Sequence, residues 1–475
     1  MLFNTFNFVF IFFPLVLSIT YFLKKKKNDN LYYFVLILAS LYFYSYFLTS
    51  YTLILIGSVI FNYYAAKLLD KVKKYNYRLL IFIFVIIINI SVLIYFKYFN
   101  FIINNLNFLF SISIVNNYII LPLAISFFTF QQIAFLTSIY KKEINDFSLI
   151  KYALFICFFP QLIAGPIIRF KEFFPQISNS IKFSLSKQFL ISGLIVFSIG
   201  MFKKIIISSY LASIADPVFK NIDNNILINS IDAWIGLLAF SFQIYFDFSG
   251  YSDMAIGLAL CLGFKLPINF YSPYKSSSIK EFWSSWHITL SRFLKNHIYI
   301  PLGGNKNGNY RQKINIFITM LIGGIWHGAS WNFLLWGGYH GLLIVFEKFI
   351  ARFKAFKNFC FIKRYIVFIL ITLGWIPFRC QSFSSVEHML YVMFNFNIST
   401  NSIFLNLIAL KTLAVFFTFF VIMYLPNTVD IQKKIEKDKN INKYLVYLII
   451  SASVMFFLLA EPNQNINREF IYFQF

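Results

Sequence analysis

Two histidines have the strongest claim to chemistry. His287 lies in Phe282-Trp283-Ser284-Ser285-Trp286-His287-Ile288-Thr289-Leu290-Ser291, and His327 in Gly323-Gly324-Ile325-Trp326-His327-Gly328-Ala329-Ser330-Trp331-Asn332. Imidazole, with an ordinary pKa of about 6.5, can take a proton from a hydroxyl near neutral pH, which is what acyl transfer to an alcohol needs. Desolvation keeps such a ring neutral and ready. An ionisable group in apolar chain is costly to keep and usually marks a functional pathway. The competing account is that each ring merely hydrogen-bonds one helix to another. Gly323, Gly324 and Gly328 allow close backbone approach, which suits a substrate passing His327 as well as it suits tight helix packing. Trp286, Trp326 and Asn332, the neighbours of the two rings, are candidate substrate-binding side chains.

Other polar groups have weaker claims. Asp247 and Asp253, in Tyr245-Phe246-Asp247-Phe248-Ser249-Gly250-Tyr251-Ser252-Asp253, could orient a histidine or bind a cation. The plainer and preferred reading makes Ser-Gly-Tyr-Ser-Asp a helix break whose side chains cap the next helix. Arg169 closes a stretch interrupted by Pro160, Gly165 and Pro166, and could hold a phosphate or simply reach the headgroups. His297, His340 and His388 are read as structural. The histidines are too scattered to specify a metal, and no phosphate-cradling glycine loop occurs. Cys157, Cys261, Cys360 and Cys380 form no CxxC or zinc spacing and read as core residues.

Elements that could position these groups follow from composition. Of 475 residues, 59% are hydrophobic and 13% charged, against about half and a quarter in soluble domains, so the chain reads as a membrane protein. The net charge of +24 comes from short basic runs, among them Lys24 to Lys27, Lys71 to Arg78, Lys203 and Lys204, Lys348 to Arg364 and Lys433 to Lys443. Basic runs between apolar stretches read as cytoplasmic loops facing anionic lipid, not as a nucleic-acid surface. The expected fold is all-α and polytopic. About 11 or 12 spans are long enough for a hydrocarbon core of roughly 30 Å. They include Leu2 to Leu23, Leu31 to Leu48, Tyr51 to Leu69, Leu79 to Phe96, Tyr118 to Tyr140, Tyr152 to Ile168, Ile191 to Leu211, Ala233 to Phe264, Ile314 to His340, Ile366 to Phe378, Ile403 to Tyr424 and Tyr444 to Leu459. The basic loops place both termini outside.

The middle of the chain carries Pro160, Gly165, Pro166, Gly250, Pro267, Pro273, Pro301, Gly303 and Gly304 within apolar runs. Backbone broken at membrane depth must face protein or a water-filled cavity. A single membrane domain is expected, with scaffold helices over 1–117, an interrupted, re-entrant catalytic centre over 118–345 and closing helices over 346–475. No internal repeat is visible.

These segments together resemble the membrane-bound O-acyltransferase family, in its bacterial branch of alginate and peptidoglycan O-acetyltransferase membrane subunits. The resemblance rests on Phe282 to Ser291, Tyr299 to Asn305, Trp326 to Asn332 with His340-Gly341, Tyr245 to Asp253, Ser126 to Gln131, Gly374 to Arg379 and the terminal Phe470-Ile471-Tyr472-Phe473-Gln474-Phe475. It implies a ring of helices around a tunnel-bearing centre, with His327 catalytic and His287 a second essential residue. Asn296 and His297 stand where an Asp-Tyr pair is expected, and Ser285 where a cation is common.

The resemblance further implies acetyl-CoA, or an acyl carrier protein, as a cytoplasmic donor. No tightly bound cofactor is expected. A separate extracytoplasmic transferase of the SGNH type is the implied partner. His327 then acts as base, while a donor near His287 orients the reactants or steadies the oxyanion. Tyr472 is a candidate acyl relay, against the reading of the aromatic tail as an interfacial anchor. Competing expectations are D-alanyl transfer to teichoic acid, a transporter of an envelope precursor, and a structural subunit of an envelope complex.

Overall fold

Lipid cannot satisfy free backbone donors and acceptors, so a chain that lies in it must close its hydrogen bonds internally. The computed structural model describes residues 1–26, 29–115, 119–144, 146–178, 187–350, 360–395, 405–438, 444 and 471, and among them there are helices and turns but no strand. Among the described residues five helices are long and apolar enough to cross a membrane: Asn7–Lys25, Thr49–Lys71, Tyr75–Phe110, Lys187–Asp223 and Ser230–Cys261. A sixth is reached if Leu410–Tyr424 and Thr428–Lys437, bent by 47°, count as one span. Leu53, Leu80, Phe84 and Phe108 project exposed from the second and third of these, and apolar surface on that scale belongs against lipid. The chain is an all-α, multi-pass membrane protein. Several expected spans are shorter or broken: Leu31 to Leu48 forms Asp29–Ser45 and Tyr118 to Tyr140 forms Ile125–Tyr140. Apart from Tyr444 and Ile471, the expected span Tyr444 to Leu459 and the tail with Tyr472 lie outside the described residues.

The chain forms two compact units. The first comprises Met1–Ile199, Tyr251–Pro267 and Gln432–Asn467. Its core is phenylalanine-rich, with Phe8, Phe12, Phe43 and Phe159 packed ring against ring. The predicted break at Pro160 is present: the helix Leu149–Cys157 stops and a short helix, Phe159–Leu162, restarts. The polar groups freed there are met by protein, since Phe159 N–H donates to Ser40 Oγ at 3.0 Å and Gln161 Nε2 donates to Phe155 O. A buried polar cluster ties three helices, with Asn62 Nδ2 donating to Asn89 Oδ1 at 3.0 Å and to Gln132 Oε1 at 2.9 Å. In the same unit a Cβ at Gly193 would sit 2.6 Å from Gly257 O, so two backbones touch where no side chain could stand.

The second unit comprises Gly200–Gly250, Ile268–Ile431 and Arg468–Phe475. Here three expectations are corrected. Ser-Gly-Tyr-Ser-Asp is no helix break: Ser230–Cys261 runs through it for 32 residues. Gly250 serves close packing, because a Cβ there would lie 2.8 Å from Gly200 O. Lys203 and Lys204 are not a loop but part of the helical run Lys187–Asp223, in a π-helical segment from Lys203 to Ser208. Lys204 tolerates burial because Asp247 stands 2.5 Å away, both side chains being nearly inaccessible. Finally, Ile314 to His340 is no single span. It divides into Gly308–His327 and Trp331–Ile350, with Gly328 extended at the turn. These two helices form a hairpin whose arms meet backbone to backbone, since a Cβ at Gly324 would lie 2.3 Å from Phe333 O and one at Gly337 2.5 Å from Met320 O.

Candidate active site

The second unit brings both candidate histidines into one aromatic framework. His327 is the last residue of its helix, and the tight hairpin turns the chain directly behind it. Its ring lies between Trp326, at 4.9 Å between centroids, Trp336, at 4.8 Å, and Phe378, at 5.4 Å. His287 stands at the junction of two short helices, Ile279–Ser285 and Ile288–Leu294, and its backbone is left-handed, with φ +42°. A non-glycine residue held there stores strain, and strain of this kind concentrates at functional sites. The His287 ring is fully buried against Phe248, at 4.7 Å, and Trp326, at 6.1 Å. Trp326 therefore touches both histidines.

A cavity of about 380 Å³ reaches His327. The buried residues His327, Trp336, Met320 and Gly323 line it, and so do Lys280, Lys295 and Lys348. A mostly apolar cavity with a few convergent polar groups is the ordinary form of a small-molecule site. A buried imidazole and three lysines in one lining fit a substrate whose reactive end is neutral and whose other part is anionic. Among the described residues no three His, Cys, Asp or Glu side chains could hold a metal.

The sequence pattern of the membrane-bound O-acyltransferase family matches residues 30–386, which contain this whole arrangement. The chain belongs to this family. It is 40% identical over 429 residues to the peptidoglycan O-acetyltransferase of Helicobacter pylori, covering 84% of this chain and 80% of that one. It is 37% identical over 404 residues to a probable alginate O-acetylase of Pseudomonas aeruginosa, covering 83% and 75%. More distantly, it is 28% identical over 245 residues to a teichoic acid D-alanyltransferase of Streptococcus thermophilus, over 50% of this chain and 59% of that one. This membrane-bound O-acyltransferase is accordingly an acyltransferase enzyme.

Within the acyltransferase, the other candidate residues fall in different places. Trp286 is buried on Phe282 and Trp375 and does not line the cavity. Asn332 donates through Nδ2 to Cys380 O at 2.8 Å and so ties the start of its helix to the end of Cys360–Arg379. Asp247 pairs with Lys204 and accepts the Ile471 N–H at 2.9 Å, so it neither caps a helix nor touches a histidine ring in any described contact. Arg169 belongs to the first unit, where it is exposed and pairs with Glu172 at 2.5 Å. Asp253 also belongs to the first unit. His297 stacks on Phe293, and His388 Nδ1 lies 3.2 Å from Ile222 O.

Two features escaped sequence reasoning. His340 is buried beside Trp283, Trp336 and Tyr339, one tryptophan away from His327. Asn269 contacts His287 from an extended segment 18 residues earlier. The hairpin explains the first, since it folds Trp331–Ile350 back along the helix that ends in His327. The only signal of the second was one amide in the apolar stretch Leu266-Pro267-Ile268-Asn269-Phe270.

Proposed function

We propose that this acyltransferase moves an acetyl group from a cytoplasmic thioester, acetyl-CoA, across a bacterial inner membrane for O-acetylation of a cell-envelope polysaccharide of the peptidoglycan or alginate kind. The observation that carries the reading is the buried His327 in the lining of a cavity that Lys280, Lys295 and Lys348 also line. The names of the relatives in Helicobacter pylori and Pseudomonas aeruginosa support acetyl as the group and an envelope polysaccharide as its destination.

In this mechanism the lysines hold the anionic part of the donor, and the thioester reaches past Met320 and Gly323 to His327. The imidazole takes the proton of an attacking hydroxyl. The hydroxyl oxygen bonds to the acyl carbon, the carbon–sulfur bond breaks, and the departing thiolate receives the proton back from the imidazolium. The carboxyl end of the helix Gly308–His327 carries partial negative charge, which steadies the ring while it holds that proton. A base so placed contributes about 10² to 10⁴-fold. An extracytoplasmic SGNH-type transferase then receives the acetyl group, with the phenol of Tyr472 as the candidate relay.

The test is reconstitution of the enzyme with that partner in vesicles, with labelled acetyl-CoA on the cytoplasmic face. Ester-linked label outside from wild type, lost in His327→Ala, is the expected result. Equal label from both would remove His327 from the chemistry. Transfer from a D-alanyl carrier protein but not from acetyl-CoA would replace the donor, in line with the teichoic acid relative. Full transfer by Tyr472→Phe would sink the relay.

A further inference from the structure

His287 makes one polar contact through Nδ1, which lies 3.2 Å from Asn269 Oδ1. That oxygen also receives the backbone N–H of Thr289 at 3.3 Å and the Thr289 hydroxyl at 2.9 Å. A backbone N–H can only donate, so the Asn269 atom it meets must be the carbonyl oxygen and not the amide nitrogen. The orientation of the Asn269 amide is thereby settled by its neighbours. Facing an oxygen that can only accept, Nδ1 of His287 must carry the hydrogen, and a neutral ring then bears its lone pair on Nε2.

Asn269 is itself fixed. Its backbone carbonyl accepts the Ile288 N–H at 3.0 Å, and its side chain takes the Thr289 N–H in the first turn of Ile288–Leu294. It thus supplies the cap that His287, in the capping position with a left-handed backbone, does not provide with its own side chain. Asn269 and His287 are both buried, and Nε2 of His287 has no hydrogen-bond partner among the described residues.

We infer that Asn269 is a positioning residue that locks His287 in the Nδ1–H tautomer and so leaves Nε2 of His287 as a hydrogen-bond acceptor. Locked in this way, His287 offers no hydrogen through Nε2, so the donor expected near His287 must be a different group. The kinetic arm of the test rests on the acyl-transfer reading above, while the spectroscopic arm does not.

The experiment is ¹⁵N magic-angle-spinning NMR of full-length enzyme in vesicles with labelled histidine, the His287 signal being assigned by its loss in His287→Gln. Wild type is expected to show protonated Nδ1 and unprotonated Nε2. Asn269→Leu should shift His287 towards Nε2–H and lower kcat on the order of 10²-fold, with the donor KM little changed. Thr289→Val removes a hydrogen bond from the same cap and should leave the tautomer in place. Asn269→Asp keeps the accepting oxygen and should keep protonated Nδ1 even if Asn269→Leu fails to fold. A wild-type ring protonated at Nε2 overturns the inference, as does an unchanged tautomer in folded Asn269→Leu. Absence of acetyl transfer in wild type would count against the proposed reaction and leave the tautomer result standing.

Discussion

At the residue scale, the pairing of Lys204 with Asp247 shows what buried charge does in this unit. Two charges out of water are each expensive, and their attraction compensates only while both are present. Asp247 has a second obligation, because its other oxygen accepts the Ile471 N–H. Lys204→Met should therefore cost about 3–5 kcal/mol by stranding the carboxylate. The double substitution Lys204→Met with Asp247→Leu should recover much of that loss but not all, since the Ile471 N–H is left without its acceptor. Thermal unfolding of the three proteins in one detergent checks both statements. A double variant no more stable than Lys204→Met alone would mean that the pair is not what holds this part of the core. By contrast, His340 has neither ring nitrogen partnered among the described residues and acts through its bulk against Trp283 and Trp336.

At the scale of elements, two adjacent glycines in one helix have different duties. A Cβ at Gly324 would meet the Phe333 carbonyl oxygen and the Gly337 backbone, none of which can move without opening the hairpin. At Gly323 the nearest atom is Leu294 Cδ1, at 3.1 Å, the end of a side chain that can turn aside. Gly324→Ala should thus destabilise the enzyme by about 1–3 kcal/mol through overpacking and disturb His327 three residues on. Gly323→Ala should leave stability nearly unchanged. Chemical denaturation of both variants separates the two sites, and equal losses of stability would contradict the hairpin geometry. These contacts also mark where sequence reading stopped. Breaks at Pro160 and around Gly303 and Gly304 were legible, because proline and positive-φ glycine act on their own backbone. The hairpin was not, since Ile314 to His340 is apolar across its turn and only the fit of Gly324 against Gly337 shows that the chain doubles back. Gly250 misled for a related reason: glycine permits a break and close packing alike, and what decides is Gly200 on the facing helix. His287 and His327 stood out as rare ionisable groups in apolar chain, whereas Asn269 has no local pattern that joins it to His287.

At the scale of the whole molecule, the charge imbalance of +24 has a specific consequence at the cavity. Scattered cations draw an anionic substrate towards the protein surface, and this long-range attraction fades beyond a Debye length of about 8 Å at physiological salt. The lysines of the cavity lining act at closer range. Lys280 and Lys295 are exposed, so each contributes no more than the fraction of a kcal/mol up to about 1 kcal/mol expected of a solvated ion pair. Together with Lys348 they should amount to roughly tenfold or somewhat more in donor affinity. On the proposed reaction, replacing all three with glutamine should therefore raise the KM for acetyl-CoA by about that factor while leaving kcat within a few-fold, because that mechanism needs none of the three to move the proton at His327. The same variant should lose much of the wild-type dependence of KM on salt. If instead kcat collapsed and KM held, the lysines would be shaping the cavity around His327, and the anionic part of the donor would have to be bound elsewhere.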